Sequence, residues 1–586
     1  MRYLTTVLVL IGVVSIASSA DAQFRTLNDR FTVPDYASAS EWQRRAAYLR
    51  EHILASAGLV PMPEKAPLNA QIFGERRSEG YSVFKVYFES LPGFYVTGNL
   101  YRPAGAGPFP AILSPHGHWT YGRLENTSIA SVPARAINLA EQGFVVFTYD
   151  MIGYNDSRQL PHDFGGKREY LWGLSLAGLQ LWNSIRGLDF LQSLPYVDRD
   201  RIGATGASGG GTQTFLVAAV DDRIKAAAPV NMISLQMQGG CICENEPGLR
   251  LDTNNVELAA AIAPRPLLMV SATGDWTKDT LHAEYPAMRR LYALAGADSR
   301  VHAVQFEAPH NYNRDSRESV YAWMARWLKN AAADVRIAER TVRPEPLADA
   351  LVFYGRPMPD QALTREQVTD RWIASAKRQL ADSDPRVVRS ALLHALALER
   401  VEVAPAKLRA PGSDSKRSSR TVVLAGEDPA LETALARAGV SIRRVAVTPF
   451  DAEAAAKIAH FETYNRTLAS QRVADIARTI GAEPRTSVVA GRDWGLAALL
   501  ALATVPFERA ILDVAQFDNT SDAMFVERLY IPGIRRAGDL QTAVSMAAGQ
   551  VVIHNAADRF TLDGPRIERR TLTPDEIVAL VRRPNP

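Results

Sequence analysis

A chain of 586 residues is longer than one hydrophobic core usually grows, about 250–300 residues, so more than one domain is expected. Apolar residues make up 47% and charged residues 22%, an ordinary balance for a soluble globular protein. The formal charge of +3 comes without an extended basic run, which excludes the usual nucleic-acid binder, because phosphate recognition needs clustered Lys and Arg.

The opening segment, "MRYLTTVLVLIGVVSIASSADAQ", has Arg2, an apolar run over residues 4–16 and small residues ending in Ala20-Asp21-Ala22. It reads as a signal peptide over residues 1–22, cut before Gln23. The run is shorter than the ~20 residues needed to span a bilayer, and no other segment is long and apolar enough. The expectation is an exported protein, periplasmic or secreted, with no membrane attachment after cleavage.

Residues 40–57, "SEWQRRAAYLREHILASA", read as an amphipathic helix. Two β-type runs follow, "YSVFKVYFE" and "FYVTGNLYRP", broken by Leu91-Pro92-Gly93 as in a hairpin. The pattern then alternates. "PAILSPHG", "FVVFTYD", "RIGATGAS", "IKAAAPV", "PLLMVSATG" and "VHAVQFEAPH" read as strands. Between and after them, "ARAINLAEQG", "LSLAGLQLWNSIRGLDFLQSL", "TQTFLVAAV", "EYPAMRRLYALAG" and "ESVYAWMARWLKN" read as helices. Apolar strands alternating with helices imply an α/β fold, a mostly parallel sheet covered on both faces.

Residues 331–420 lack such strands and read as a helical, Pro-rich linker region, with two helical stretches near 364–399 and a polar run, "PGSDSKRSSR". Over residues 421–586 the alternation resumes with "RTVVLAG", "VSIRRVAV", "TSVVAG", "ERAILDV" and "GQVVIHNAAD" as strands. Ser208 and Asp493 each stand 21 residues before the matching end of the next strand, at Pro229 and Val514. An internal duplication is inferred, with the opening strands absent from the second copy. The expected domains are thus 23–330, the linker 331–420, and 421–586.

Within "RIGATGASGGGTQTF", Gly206-Ala207-Ser208-Gly209-Gly210 matches G-x-S-x-G at a strand-to-helix turn. The nucleophile of such a turn sits in strained backbone, and side chains at the two flanking positions would collide with neighbouring elements. The helix start behind it favours developing negative charge. The bland alternative is a structural turn that contains serine. A serine needs a base held by a third group. In the order Ser, Asp/Glu, His, the histidines available before the linker are His282, His302 and His310. His310 follows "VQFEAP" at a strand's carboxyl end and is assigned as base. Asp275 leaves its strand through Gly274 and is assigned as the carboxylate, ahead of Asp279 and then Glu307. The oxyanion donors are the backbone N–H of Gly209 and that of Gly117 or His118 in "LSPHGHWTYGR". Trp119, Tyr121, Tyr154, Arg158 and Trp276 are candidates for the pocket lining.

The two cysteines, Cys241 and Cys243 in "GGCICENEPG", do not make a disulfide framework. A strained bridge and two reduced thiols remain open. No metal site is assigned, since two thiolates without evident histidine partners leave zinc's tetrahedral shell incomplete, and His116 with His118 lacks nearby ligands too.

With these residues in hand, the chain resembles α/β-hydrolases of the acetyl xylan esterase and dienelactone hydrolase-like group. The resemblance is carried by "YFESLPGFYVTGNLYRP", "SPHGHW", "GASGGGTQT", "NNVELAAAIAPRPLLMVSATGDWT" and "FEAPHNYN", and it covers about residues 40–330. It implies an α/β-hydrolase sheet of about eight strands and hydrolysis of carboxylic esters through an acyl-enzyme. It also implies no metal or organic cofactor, and an acylated plant cell-wall polysaccharide as substrate. Gly209 stands where acetyl xylan esterases often carry Gln and glucuronoyl esterases Arg, and the cysteine nucleophile of dienelactone hydrolases is absent. Residues 421–586 resemble the same fold in degenerate form. "GRDWG" is similar to the aspartate-nucleophile motif of epoxide hydrolases, but the last histidine, His554, lies inside a strand, so a structural or substrate-shaping role is expected. Two rival readings are a serine peptidase of the prolyl oligopeptidase type, for which the N-terminal interval is too short to hold a propeller, and a non-catalytic carbohydrate-binding protein.

Overall fold

In the computed structural model, which describes residues 24–398, 421–482 and 486–584, the hairpin run and the apolar runs of the first half join one nine-stranded sheet. The expected signal peptide and the polar run 411–420 lie outside the described residues. The strands are β1 (Gln71–Ser78), β2 (Tyr81–Leu91), β3 (Phe94–Pro103), β4 (Phe109–Pro115) and β5 (Val145–Tyr149). They continue with β6 (Val197–Ala207), β7 (Ile224–Val230), β8 (Leu267–Gly274) and β9 (Val301–Pro309). Their order is β1-β2-β3-β5-β4-β6-β7-β8-β9. Pairing is antiparallel from β1 through β3 to β5 and parallel from there to β9. This is the α/β-hydrolase arrangement.

The inner parallel strands β4 and β5 are buried at all but one position because both faces are covered. Ala111, Leu113, Val145 and Phe147 pack into one core cluster, while the intervening Ile112 and Val146 pack into another. Each fully buried Leu, Val or Phe there is stabilised by roughly 1.5–3 kcal/mol relative to exposure. In this sheet the strand absent from the sequence reading is β1, "QIFGERRS". It is exposed at all but one position, so it carries no apolar alternation, and its charged residues suit an edge. The helix expected at 40–57 runs from Ala39 to Ser56, started by Ser38, whose side chain accepts from the amide of Glu41. It buries Trp42, Ala46, Leu49 and Ile53 along one face.

Residues beyond 420 build a second sheet from β10 (Thr421–Ala425), β11 (Ser441–Arg444), β12 (Ser487–Ala490), β13 (Arg509–Asp513), β14 (Gln550–His554) and β15 (Arg566–Ile567). All its pairings are parallel, in the order β11-β10-β12-β13-β14-β15. That order repeats β5-β4-β6-β7-β8-β9, and nothing among the described residues stands for β1–β3. The helices Arg365–Asp382 and Pro385–Leu396 bury Trp372, Ile373, Leu392 and Leu396 in a core shared by both halves. Backbone bonds cross between the halves: Gly533 N donates to Tyr170 O (2.7 Å), Gly248 N to Glu462 O (2.8 Å) and Arg250 N to Thr463 O (2.9 Å). No helix among the described residues is long and apolar enough to cross a membrane.

A buried ion network fixes the loop after β5. The fully buried Arg123 guanidinium lies 2.6 Å from Asp150 and 2.8 Å from Asp156, and it also donates to Asn99 and to the Ala350 carbonyl. Asp156 in turn accepts the amides of Val352 and Phe353. Removing one partner of a buried pair leaves the other charge uncompensated. Arg123→Ala is therefore expected to cost about 3–5 kcal/mol in urea unfolding, whereas Arg386→Ala, which breaks an exposed pair with Asp384, should leave the midpoint almost unchanged.

The N-cap serine of the helix Leu176–Ser193, Ser175, donates to the Glu246 carboxyl. Burial raises the Glu246 pKa from 4.5 to about 8, with Ser175 and Arg250 opposing. Between these values the folded state holds a proton that the unfolded chain has lost, so this group destabilises the fold progressively as pH rises. Glu246→Gln should gain stability relative to the parent protein from about pH 4.5 to about pH 8 and hold that gain above it, as read from denaturant midpoints across pH.

Candidate active site

Strand β6 delivers Ser208 to the start of the helix Gly209–Val220. Ser208 has φ 57° and ψ −125°, a region that costs a non-glycine residue on the order of 1–3 kcal/mol. Crowding holds it there. A Cβ on Gly206 would stand 2.5 Å from the Pro115 carbonyl oxygen and 2.6 Å from that of Gly210. A Cβ on Gly210 would stand 2.7 Å from the carbonyl oxygens of Pro115 and His116. Glycine at both places lets the turn press against the end of β4. The Ser208 amide donates to Val230 O (3.1 Å), and the first amides of the helix have no intrahelical acceptor and face the same end of the sheet.

At the ends of β8 and β9 a second unit forms. Asp275 Oδ2 accepts from His310 Nδ1 at 2.9 Å, and Asp275 Oδ1 accepts from the amide (2.7 Å) and hydroxyl (2.6 Å) of Thr277. The Asp275 side chain is 2% exposed and that of His310 24%. This bond puts the imidazole hydrogen on Nδ1, and the buried Nε2 has no hydrogen-bond partner. The residues after His310 are tied to β6 and β7: Tyr312 and Thr205 share a hydroxyl bond of 2.6 Å, and Asn231 Nδ2 donates to Asn311 O. Of the alternatives for the acid, Asp279 pairs instead with Arg30 at 3.1 Å.

The structure thus brings Asp275 to His310. The Ser208 hydroxyl has a different neighbour, His118 Nδ1 at 3.4 Å, and a Ser208–His310 hydrogen bond is not formed. Such bonds are often long or absent before substrate arrives. Among the expected lining residues, Trp276 and Trp119 have ring centroids 4.3 Å and 5.9 Å from that of His310. Tyr154 packs edge-on against His116 and His162, at 4.9 Å each. Tyr121 and Arg158 are exposed and both hydrogen-bond to Asn155.

Two histidines near Ser208 differ in role. His116 is buried, and burial pulls its pKa down to about 3. As a neutral ring it donates from Nδ1 to Gly117 O (2.7 Å) and accepts the Met151 amide at Nε2 (3.0 Å), so both nitrogens are spent on backbone. His118 turns Nε2 to Cys243 Sγ at 3.0 Å. Burial disfavours its charged form, but bonding to Cys241 and the nearby Glu244 outweigh that and raise its pKa. Cys241 Sγ lies 3.4 Å from His162 Nε2, and both cysteines are free thiols.

The expectation that the two thiols lack histidine partners is therefore corrected. His162 is 79 residues from Cys241 and His118 is 125 residues from Cys243, too far apart for any spacing motif to link them. Only the Cys-Ile-Cys doublet itself hinted at this cluster.

The turn after β12 has no such geometry. No residue from 490 to 495 has a positive φ, and Trp494, which follows Asp493, has φ −118°. His554 Nδ1 accepts the amide of Leu572 at 3.3 Å.

Parts of the chain are similar to known proteins. Residues 67–233 match the family model described as acetyl xylan esterase. The chain is 28% identical over 297 residues to the "Putative hydrolase YtaP" of Bacillus subtilis (strain 168), a match spanning 46% of this chain and 96% of that protein. It is 33% identical over 109 residues to Dipeptidyl-peptidase 5 of Porphyromonas gingivalis, across 17% of this chain and 14% of that protein. Among solved structures, Methylesterase BT1017 aligns at 29% identity with a TM-score of 0.49, covering 59% of this chain and 78% of that chain. The protein is thus built on an α/β-hydrolase fold whose residues 67–233 match the acetyl xylan esterase family.

Proposed function

We propose that the protein is a serine hydrolase of carboxylic esters, acting through an acyl-enzyme on an acylated or methyl-esterified polysaccharide. The observation that carries this reading is the Asp275–His310 pair with a free Nε2, at the same end of the sheet as a serine held at positive φ on a helix start. His310 Nε2 takes the proton of Ser208 as Oγ attacks the ester carbonyl. Asp275 holds the imidazole tautomer and stabilises the imidazolium. The oxyanion accepts from the amide of Gly209 and from that of Gly117 or His118. Collapse expels the alcohol, which takes its proton from His310, and a water activated by the same nitrogen releases the acid.

The ester class rests on the family match over residues 67–233, and the glycan on the two indole rings beside His310, whose apolar faces suit a sugar ring. The signal-like segment 1–22 supports work outside the cytoplasm. The repeated strand order and the relaxed turn at Asp493 support a degenerate second copy over 421–586 that shapes and braces the site. Its residues 462–464 bond to the loop 245–250, which carries on from the two cysteines.

Ser208→Ala is expected to lower turnover of p-nitrophenyl acetate by at least ~10³-fold, with an unchanged circular-dichroism spectrum; turnover equal to the parent's overturns the assignment. Asp275→Asn should lower kcat by about 10⁴ with little change in KM, since it leaves the ring in the wrong tautomer. Product analysis on acetylated and methyl-esterified glycans, with a peptide p-nitroanilide alongside, then separates ester classes from peptidase activity.

A further inference from the structure

We propose that His118, His162, Cys241 and Cys243 bind one zinc ion, which staples together three loops around Ser208. Both cysteines of the chain are in this cluster. One ligand atom from each of the four residues lies within 4.8 Å of all the others. With Zn–S about 2.3 Å and Zn–N about 2.0–2.1 Å, adjacent sulfur and nitrogen ligands of a tetrahedral zinc stand about 3.5 Å apart. The two S···N contacts here are 3.0 Å (Cys243–His118) and 3.4 Å (Cys241–His162). Both lie within about half an ångström of that tetrahedral spacing.

Independent features prepare the donors. His162 Nδ1 donates to Ile152 O at 2.6 Å, which fixes the hydrogen on Nδ1 and aims the Nε2 lone pair at the cluster. Metal-ligating histidines carry this kind of outer bond. The cysteine loop is pinned as well. The amides of Gly240 and Cys241 donate to Glu244 Oε2 at 2.8 Å and 3.0 Å, and Asn245 Nδ2 donates to the carbonyls of Gly239 and Cys241, both at 2.8 Å. Arg250 closes the turn by donating to Glu244 O at 2.7 Å.

Two thiolates with two imidazoles suit zinc over calcium or magnesium, which take oxygen ligands. Four protein ligands leave no open coordination position, so the ion is structural. It joins the loops after β4, after β5 and after β7. Ligation through His118 Nε2 leaves the hydrogen on Nδ1, which faces Ser208 Oγ, so this ring donates to the serine and does not compete with His310 for its proton. That last consequence rests on the esterase reading; the metal site does not.

The test is elemental analysis of full-length protein purified under reducing conditions without chelator. One zinc per chain is expected, falling below about a tenth in Cys241→Ala and in Cys243→Ala. Replacing zinc by Co²⁺ in the parent protein should give thiolate-to-cobalt charge transfer and intense tetrahedral visible bands. These spectra decide the matter even where a variant fails to fold. A chain that retains no zinc and shows no such bands overturns the proposal, as does a Cys241–Cys243 disulfide that forms in place of metal binding. Ester hydrolysis is measured separately: a zinc-loaded but inactive protein sinks the esterase reading alone, and an active, zinc-free one sinks the metal site alone.

Discussion

The turn that holds Ser208 depends on a close approach of backbone to backbone. The turn at 206–210 is pressed onto the end of β4 so tightly that no side chain fits at either flank of Ser208. The serine there has a positive φ, and the loop 115–119 lies against the turn, with the His118 ring beside the hydroxyl. Everything else at the carboxyl end of the sheet is arranged around this fixed point: His310 from β9, Asp275 from β8, and the His118 ring from the loop after β4. The strain at one residue is held by the apolar packing of two covered faces, which is far larger in total than the local cost.

Much of this was legible in the sequence. The strands β2 through β9 stand out by their apolar, aromatic and β-branched runs, as do the longer helices between them, and the glycines at 206 and 210 carry a steric meaning that needs no coordinates. The edge strand β1 was not legible, because an exposed polar strand has no periodicity of its own. The pairing of His310 with Asp275 followed from chain order and strand ends. The cluster of His118 and His162 with the cysteines did not, because its members come from separate loops and meet only once the sheet has ordered those loops. The same holds for Arg123, the buried tie between the loop after β5 and residues 350–353, whose partners lie far along the chain.

The second sheet repeats the strand order of the parallel part of the first without the strained turn found at Ser208. Its six strands follow the same sequence of neighbours as the parallel part of the first, yet the turn after β12 relaxes to ordinary backbone angles.

The bonds from Gly248 and Arg250 to Glu462 and Thr463 make the far half of the chain a wall of the near half's loop. With one apolar core running through both, neither half owns a complete surface. The two sheets should therefore melt together in a single calorimetric transition, and disturbance deep in the C-terminal sheet should travel into the cysteine-bearing loop.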